Sequence, residues 1–188
     1  MDIYTFLEEK RSTILGGWYN LAIEVYPSDT QQFLRQQKDN FANPVGGDFR
    51  EGLAGVLDAL LKSRGAGLER EVVRPFLDRM IRIRALQKLE PSQGLSFVQG
   101  LKGLLRAALG KEAVKPGVAE ELARLESAVD ELLLFSFDIY AGCREELSQI
   151  KVRDEKRRLH MLLRRANLLC EQPDEPEIEI TDLRNDGI

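Results

Sequence analysis

Val118-Ala119-Glu120-Glu121-Leu122-Ala123-Arg124-Leu125-Glu126-Ser127-Ala128-Val129-Asp130-Glu131-Leu132-Leu133 decides the fold. Its apolar residues return every three or four positions, at 118, 122, 125, 129, 132 and 133, which is the period of a helix with one buried face. The stripe then merges into Leu132-Leu133-Leu134-Phe135-Ser136-Phe137-Asp138-Ile139-Tyr140, where almost every position is apolar. A helix apolar all round is expected at the centre of a bundle, covered on several sides.

Outward from that stretch the same period recurs. Ile3, Leu7, Ile14, Trp18, Leu21 and Val25 predict one first helix, capped by Asp2 and ending before Pro27. Ser28 with Gln31 predicts a capping box and a short helix through Phe33 and Leu34 that stops near Asn43-Pro44. Pro44-Val45-Gly46-Gly47 reads as a turn, and from an Asp48 cap the residues Phe49, Leu53, Val56, Leu57, Leu60 and Leu61 form a face that lasts to Gly65-Ala66-Gly67. A third long element runs from near Leu68 to Leu89, interrupted or restarted at Pro75. Pro91-Ser92-Gln93 opens a helix that Gly110 closes. A charged helix from about Arg144 to Cys170 follows the central one, with Leu147, Ile150, Leu159, Leu163, Ala166 and Cys170 as its sparse apolar seam. No strand-period alternation of useful length and no internal repeat is present, so the expected fold is all-α, a bundle of about seven to eight helices.

The chain of 188 residues, 43% hydrophobic and 31% charged, suits one helical domain over 1–170. The segment 171–188 holds seven acidic residues against the single base Arg184, with prolines at 173 and 176, and is expected to be a disordered acidic tail. The net charge of −4 gives no global attraction to nucleic acid. No run approaches the roughly 20 apolar residues of a membrane span, and the start lacks the pattern of a signal peptide, so a cytoplasmic protein is expected. Cys143 and Cys170 make no disulfide framework and no metal-ligand spacing.

Four blocks resemble the RsbRD N-terminal domain family, named for a co-antagonist of the RsbT kinase in bacterial stress signalling. They are Trp18-Tyr19 through Tyr26-Pro27; Phe41-Ala42-Asn43-Pro44-Val45-Gly46; Ile81-Arg82-Ile83-Arg84-Ala85-Leu86-Gln87 with Pro91-Ser92-Gln93 and Phe97; and Phe137-Asp138-Ile139-Tyr140 with Cys143-Arg144-Glu145. The resemblance covers about 18–152. It implies a globin-like, non-haem sensory or regulatory domain whose C-terminal helix leads, in relatives, into a phosphorylated STAS domain that holds the kinase. That helix is followed here by only a short segment. The departure favours a stand-alone sensor or adaptor over direct kinase antagonism.

The candidate polar cluster is Arg82, Arg84, Gln87, Asp138 and Tyr140. A charge removed from water needs a partner, and the two arginines project about 200° apart on a helix, so one of them can share the surroundings of Asp138. Arg84, on the stripe of Leu77, Met80 and Ile81, is expected to pair with it, either as an ion pair fixing register or as a cavity wall whose guanidinium fork suits a carboxylate. The pairs Gly52-x-x-Gly55 and Gly100-x-x-Gly103 predict close helix packing.

The basic run Lys151, Arg153, Lys156, Arg157, Arg158, Arg164 and Arg165 is interrupted by Asp154 and Glu155 and carries no aromatic residue. It reads as a solvated face with intrahelical pairs or as a partner-docking or dimerising surface, and not as a nucleic-acid helix. The single His160 lies among bases rather than in an apolar pocket, so no haem is expected. No cofactor, no metal and no catalytic set is legible, and a non-enzyme is expected. The expected function is a stress-response sensor or adaptor that signals through its last helix to a protein partner, a STAS-domain or kinase component or a second copy. The alternative is a constitutive helical adaptor with no ligand sensing.

Overall fold

The structure, a computed structural model, describes residues 2–87 and 89–166. It is all-α. In chain order the helices are α1 (Ile3–Glu9), α2 (Arg11–Ile23), α3 (Ser28–Gln36), α4 (Pro44–Ser63), α5 (Arg70–Leu86), α6 (Pro91–Leu109) and α7 (Pro116–Arg165), with a 3-10 turn at Gly110–Val114 before α7. No strand occurs among the described residues. The chain forms two compact units, Met1–Glu146 and Leu147–Ile188.

Several ends differ from the sequence reading. The single first helix is two, because the chain bends at Lys10 (φ −93°, ψ 5°). The apolar positions 7 and 14 keep helical spacing across that bend, which hides it from periodicity. Asp2 does cap α1, its carboxylate accepting from the Tyr4 N–H at 3.0 Å. Ser28 makes no capping box; the Gln31 amide turns back instead and donates to the carbonyls of Glu24 and Tyr26. Asn43-Pro44 is a helix start rather than a stop. The Asn43 side-chain oxygen accepts from the Gly46 N–H at 2.8 Å, and Pro44 occupies the first turn, where its missing N–H removes no helical bond.

Asn43 is buried, and its amide nitrogen also donates to the Gln37 carbonyl at 2.9 Å just past α3. Asn43→Ala therefore loses a cap and one of the two bonds to the Gln37 carbonyl, which keeps its bond from Arg50, and is expected to lower stability by about 1–2 kcal/mol in a urea titration.

The two helices expected at 116–140 and 144–170 are one helix, α7. Its buried residues Leu122, Leu125, Val129, Leu132, Ser136, Tyr140 and Cys143 keep to one stripe. The apolar stretch near Tyr140 is consequently not covered all round: Leu134 is 64% and Phe137 49% exposed.

One core joins α1, α2, α4, α5, α6 and the first-unit part of α7. Trp18 is buried, and its indole N–H donates to the Phe97 carbonyl at 2.8 Å. Phe49 and Phe97 meet edge to face, their ring centres 5.9 Å apart. Glycines set the closest crossings. A Cβ on Gly52 would stand 2.8 Å from the Phe76 carbonyl of α5, and one on Gly55 would enter the Phe76 ring. Where α2 crosses α6, Gly17 receives Leu104 and Gly100 receives Leu21, whereas Gly103 faces open space and takes no part. The Gly100-x-x-Gly103 pair thus divides its roles, a distinction that spacing alone does not reveal.

Candidate functional site

The last turn of α5 carries Arg84 inward and Arg82 outward, as residues about 200° apart must go. Arg84 is 1% exposed. No carboxylate of the described residues pairs with it, and Asp138 does not: that side chain is 62% exposed and meets Arg70 at 3.7 Å. The expected Arg84–Asp138 pair is therefore corrected. Asp138 lies two residues from the buried Ser136, so the same 200° places it on the open side of α7.

Other groups compensate the Arg84 charge. Its Nη2 donates to the carbonyl of Ala22, in the last turn of α2, where the helix dipole is negative. Its Nη1 donates to Gln87 Oε1 at 3.4 Å. The guanidinium carbon stands 4.8 Å from the Phe49 ring centre, 4.9 Å from that of Tyr26 and 5.7 Å from that of Phe97. Cation–π contacts of this kind strengthen when water is excluded, to about 2 kcal/mol or more each. The Nε–H has no partner. Burial lowers the Arg84 pKa from its ordinary value, while Tyr26 acts in the opposite direction. Arginine nevertheless stays charged in proteins.

The remaining residues of the cluster lock the surroundings. Gln87 Nε2 donates to the Tyr26 hydroxyl at 2.8 Å. The Tyr140 hydroxyl donates to the Leu89 carbonyl at 2.9 Å, and Arg144 donates to the Ala85 carbonyl at 3.3 Å. These contacts tie the end of α2, the turn between α5 and α6, and α7 within the first unit. Arg82 lies outside this junction, paired with Asp78 at 2.7 Å and Glu146 at 3.5 Å. It edges an open cleft of about 610 Å³ between α4 and α5, together with Asp48, Glu51, Asp78, Arg74 and Arg79. Acid and base are balanced there, so the cleft selects neither sign of ligand.

Sequence reasoning missed the Ala22 carbonyl, the rings of Tyr26, Phe49 and Phe97 around the guanidinium, and Arg144. A signal existed for part of this. Phe97 stands in the same block as Arg84 and Arg144 in that of Tyr140, while Tyr26 closes the first block.

The basic residues Lys151, Arg153, Lys156, Arg157, Arg158, Arg164 and Arg165 are all exposed on α7 within the second unit. None forms an ion pair among the described residues, so the intrahelical pairs expected with Asp154 and Glu155 are not made. Cys143 is a buried free thiol, and burial raises its pKa. Cys170 and the tail 171–188 lie outside the described residues. Among the described residues no group of three or more His, Cys, Asp or Glu is placed to hold a metal, and no helix is long and apolar enough to cross a membrane.

No curated protein and no solved structure matches the chain. The profile of one family does, that of the RsbT co-antagonist protein rsbRD N-terminal domain, over residues 13–154. That span holds all four blocks and the whole Arg84 junction, and the chain belongs to the RsbT co-antagonist protein rsbRD N-terminal domain family.

Proposed function

We propose that this chain is a regulatory domain of bacterial stress signalling, acting in the pathway of the RsbT kinase as a cytoplasmic sensor that reports through α7 to a protein partner. The family supplies the pathway. The observation that carries the mechanism is the run of contacts from Ala22 through Arg84, Ala85 and Arg144 onto α7, joined by Tyr140 and Leu89. A packed junction of this kind has few arrangements, so a bias applied at α2 or at the α5–α6 turn can alter the seating of α7. The shift is limited to the differential affinity of the signal for the two arrangements, typically 1–3 kcal/mol. The partner is a STAS-domain protein, the kinase itself or a second copy of this chain.

Titration calorimetry of the intact chain against a purified RsbT-type kinase and a STAS-domain antagonist tests this, with Tyr140→Phe as the probe. That substitution removes the bond to Leu89 and keeps the ring. One of the two proteins is expected to bind, with its affinity changed by about 5-fold or more in the variant. Binding to neither removes the pathway assignment. Binding that Tyr140→Phe leaves unchanged replaces the sensor by a constitutive adaptor.

A further inference from the structure

The part of α7 within the second unit carries an apolar seam open to water. At about 100° per residue, Val152, Leu159, Leu162, Leu163 and Ala166 fall within an arc of about 100°, whereas Ile150 and Met161 lie outside it. Val152 is 47%, Leu159 57% and Leu162 61% exposed. The spacing is that of heptads. With 152, 159 and 166 at the a positions, the d positions are Glu155 and Leu162, so the seam is broken by charge only at Glu155.

Its rims carry one sign of charge. Lys151, Arg158 and Arg165 occupy the g positions along one edge and Lys156 an e position on the other, and none of the four makes an ion pair among the described residues. Such rims choose the partner of a helix. A second copy is refused in either direction: in parallel pairing Lys151 meets Lys156 and two Glu155 carboxylates meet in the core, while antiparallel pairing sets the basic g rows against each other. An anionic membrane surface fits poorly too. The stretch 151–165 has no Phe, Tyr or Trp to sit at headgroup level, and Glu155 in mid-seam would be carried toward the hydrocarbon. A helix with acidic e and g positions meets four cations instead, and a base among its core residues can pair with Glu155.

We propose that residues 151–166 of α7 bind an acidic amphipathic helix of another protein, packed along the seam as a short heterologous coiled coil. The proposal rests on the reading of α7 as the partner-facing helix and deepens it: it states the chemistry of the partner and excludes a second copy from this seam. Its test uses neither the kinase nor a STAS-domain protein, so either reading can fail alone.

The probe is a synthetic peptide of about three heptads with Leu at a, Leu at d except for one central Lys, and Glu at every e and g. Its like charges keep it from pairing with itself. Fluorescence anisotropy of the labelled peptide against the intact chain at about 0.1 M salt should show saturable binding. Affinity should fall about 10-fold or more in Leu159→Asn, which leaves the charge untouched, and as far in a chain carrying Lys151→Glu, Arg158→Glu and Arg165→Glu together. All four side chains are exposed, so neither variant disturbs the core. A peptide with Lys in place of every Glu should reverse the order and prefer the triple variant to the natural chain. The proposal is overturned if the acidic peptide does not bind, if Leu159→Asn binds it as tightly as the natural chain, or if the basic peptide binds the natural chain equally well. It is overturned as well if sedimentation shows self-association that Leu159→Asn abolishes, or if phosphatidylserine vesicles retain the natural chain and lose that variant.

Discussion

Arg84→Ala is expected to lower stability by about 3–5 kcal/mol, the largest effect of any single substitution at the junction. The side chain is fully buried, so alanine leaves a cavity between Tyr26, Phe49 and Phe97 and strands the Ala22 carbonyl. Arg84→Met separates volume from charge. It refills most of the space and removes a cation that has no carboxylate partner, and replacing buried charge by apolar groups of similar size is often close to neutral. Methionine should therefore recover most of the loss. Arg84→Lys should recover less although it keeps the charge, because an ammonium can neither fork to two acceptors nor stack on a ring. Urea midpoints at constant slope give the ranking directly. If methionine proves as damaging as alanine, hydrogen bonding and cation–π attraction outweigh packing at this site.

Gly52→Ala and Gly103→Ala should change stability in opposite directions. At Gly52 the added carbon meets the Phe76 carbonyl at 2.8 Å and the Met80 sulfur at 2.7 Å. Methionine can move, but a backbone carbonyl in α5 can retreat only if the two helices separate. Overpacking of this kind costs about 1–3 kcal/mol, offsetting the gain in helix propensity. At Gly103 the added carbon meets nothing, so the propensity gain of about 1 kcal/mol should be seen in full. Thermal unfolding of the two variants beside the natural chain is sufficient. A stabilised Gly52→Ala would mean that the crossing of α4 and α5 is looser than the contacts require.

These residues also mark where sequence reading succeeds and where it stops. The helical period of Leu122, Leu125, Val129 and Leu132 on α7, or of Leu53, Val56, Leu57 and Leu60 on α4, is imposed by burial on one side, so it announces both helix and core. Helix ends are less legible. Asn43 caps α4, but Asn-Pro-x-Gly is equally good turn chemistry, and only the donors waiting at Gly46 decide between them. The bend at Lys10 leaves no trace because the apolar spacing continues through it. At the candidate site, the burial of one of the two arginines was legible from their spacing. What neutralises it was not, since a helix-end carbonyl and three ring faces have no letter of their own. A carboxylate was the natural partner to expect, and Asp138 proved to point outward.

Arg84 is not alone in how it is used. Arg50 donates to the Leu34 and Gln37 carbonyls at the end of α3 while lying over the Tyr19 ring, and Arg144 donates to Ala85 near the end of α5. The C-terminal ends of α2, α3 and α5 are thus each held by an arginine from another helix, through carbonyl oxygens. A carbonyl does not take up a proton as the medium acidifies, whereas a carboxylate partner would be discharged near pH 4. These three clasps consequently keep their acceptors in acid, whereas a joint built on a carboxylate would lose its own.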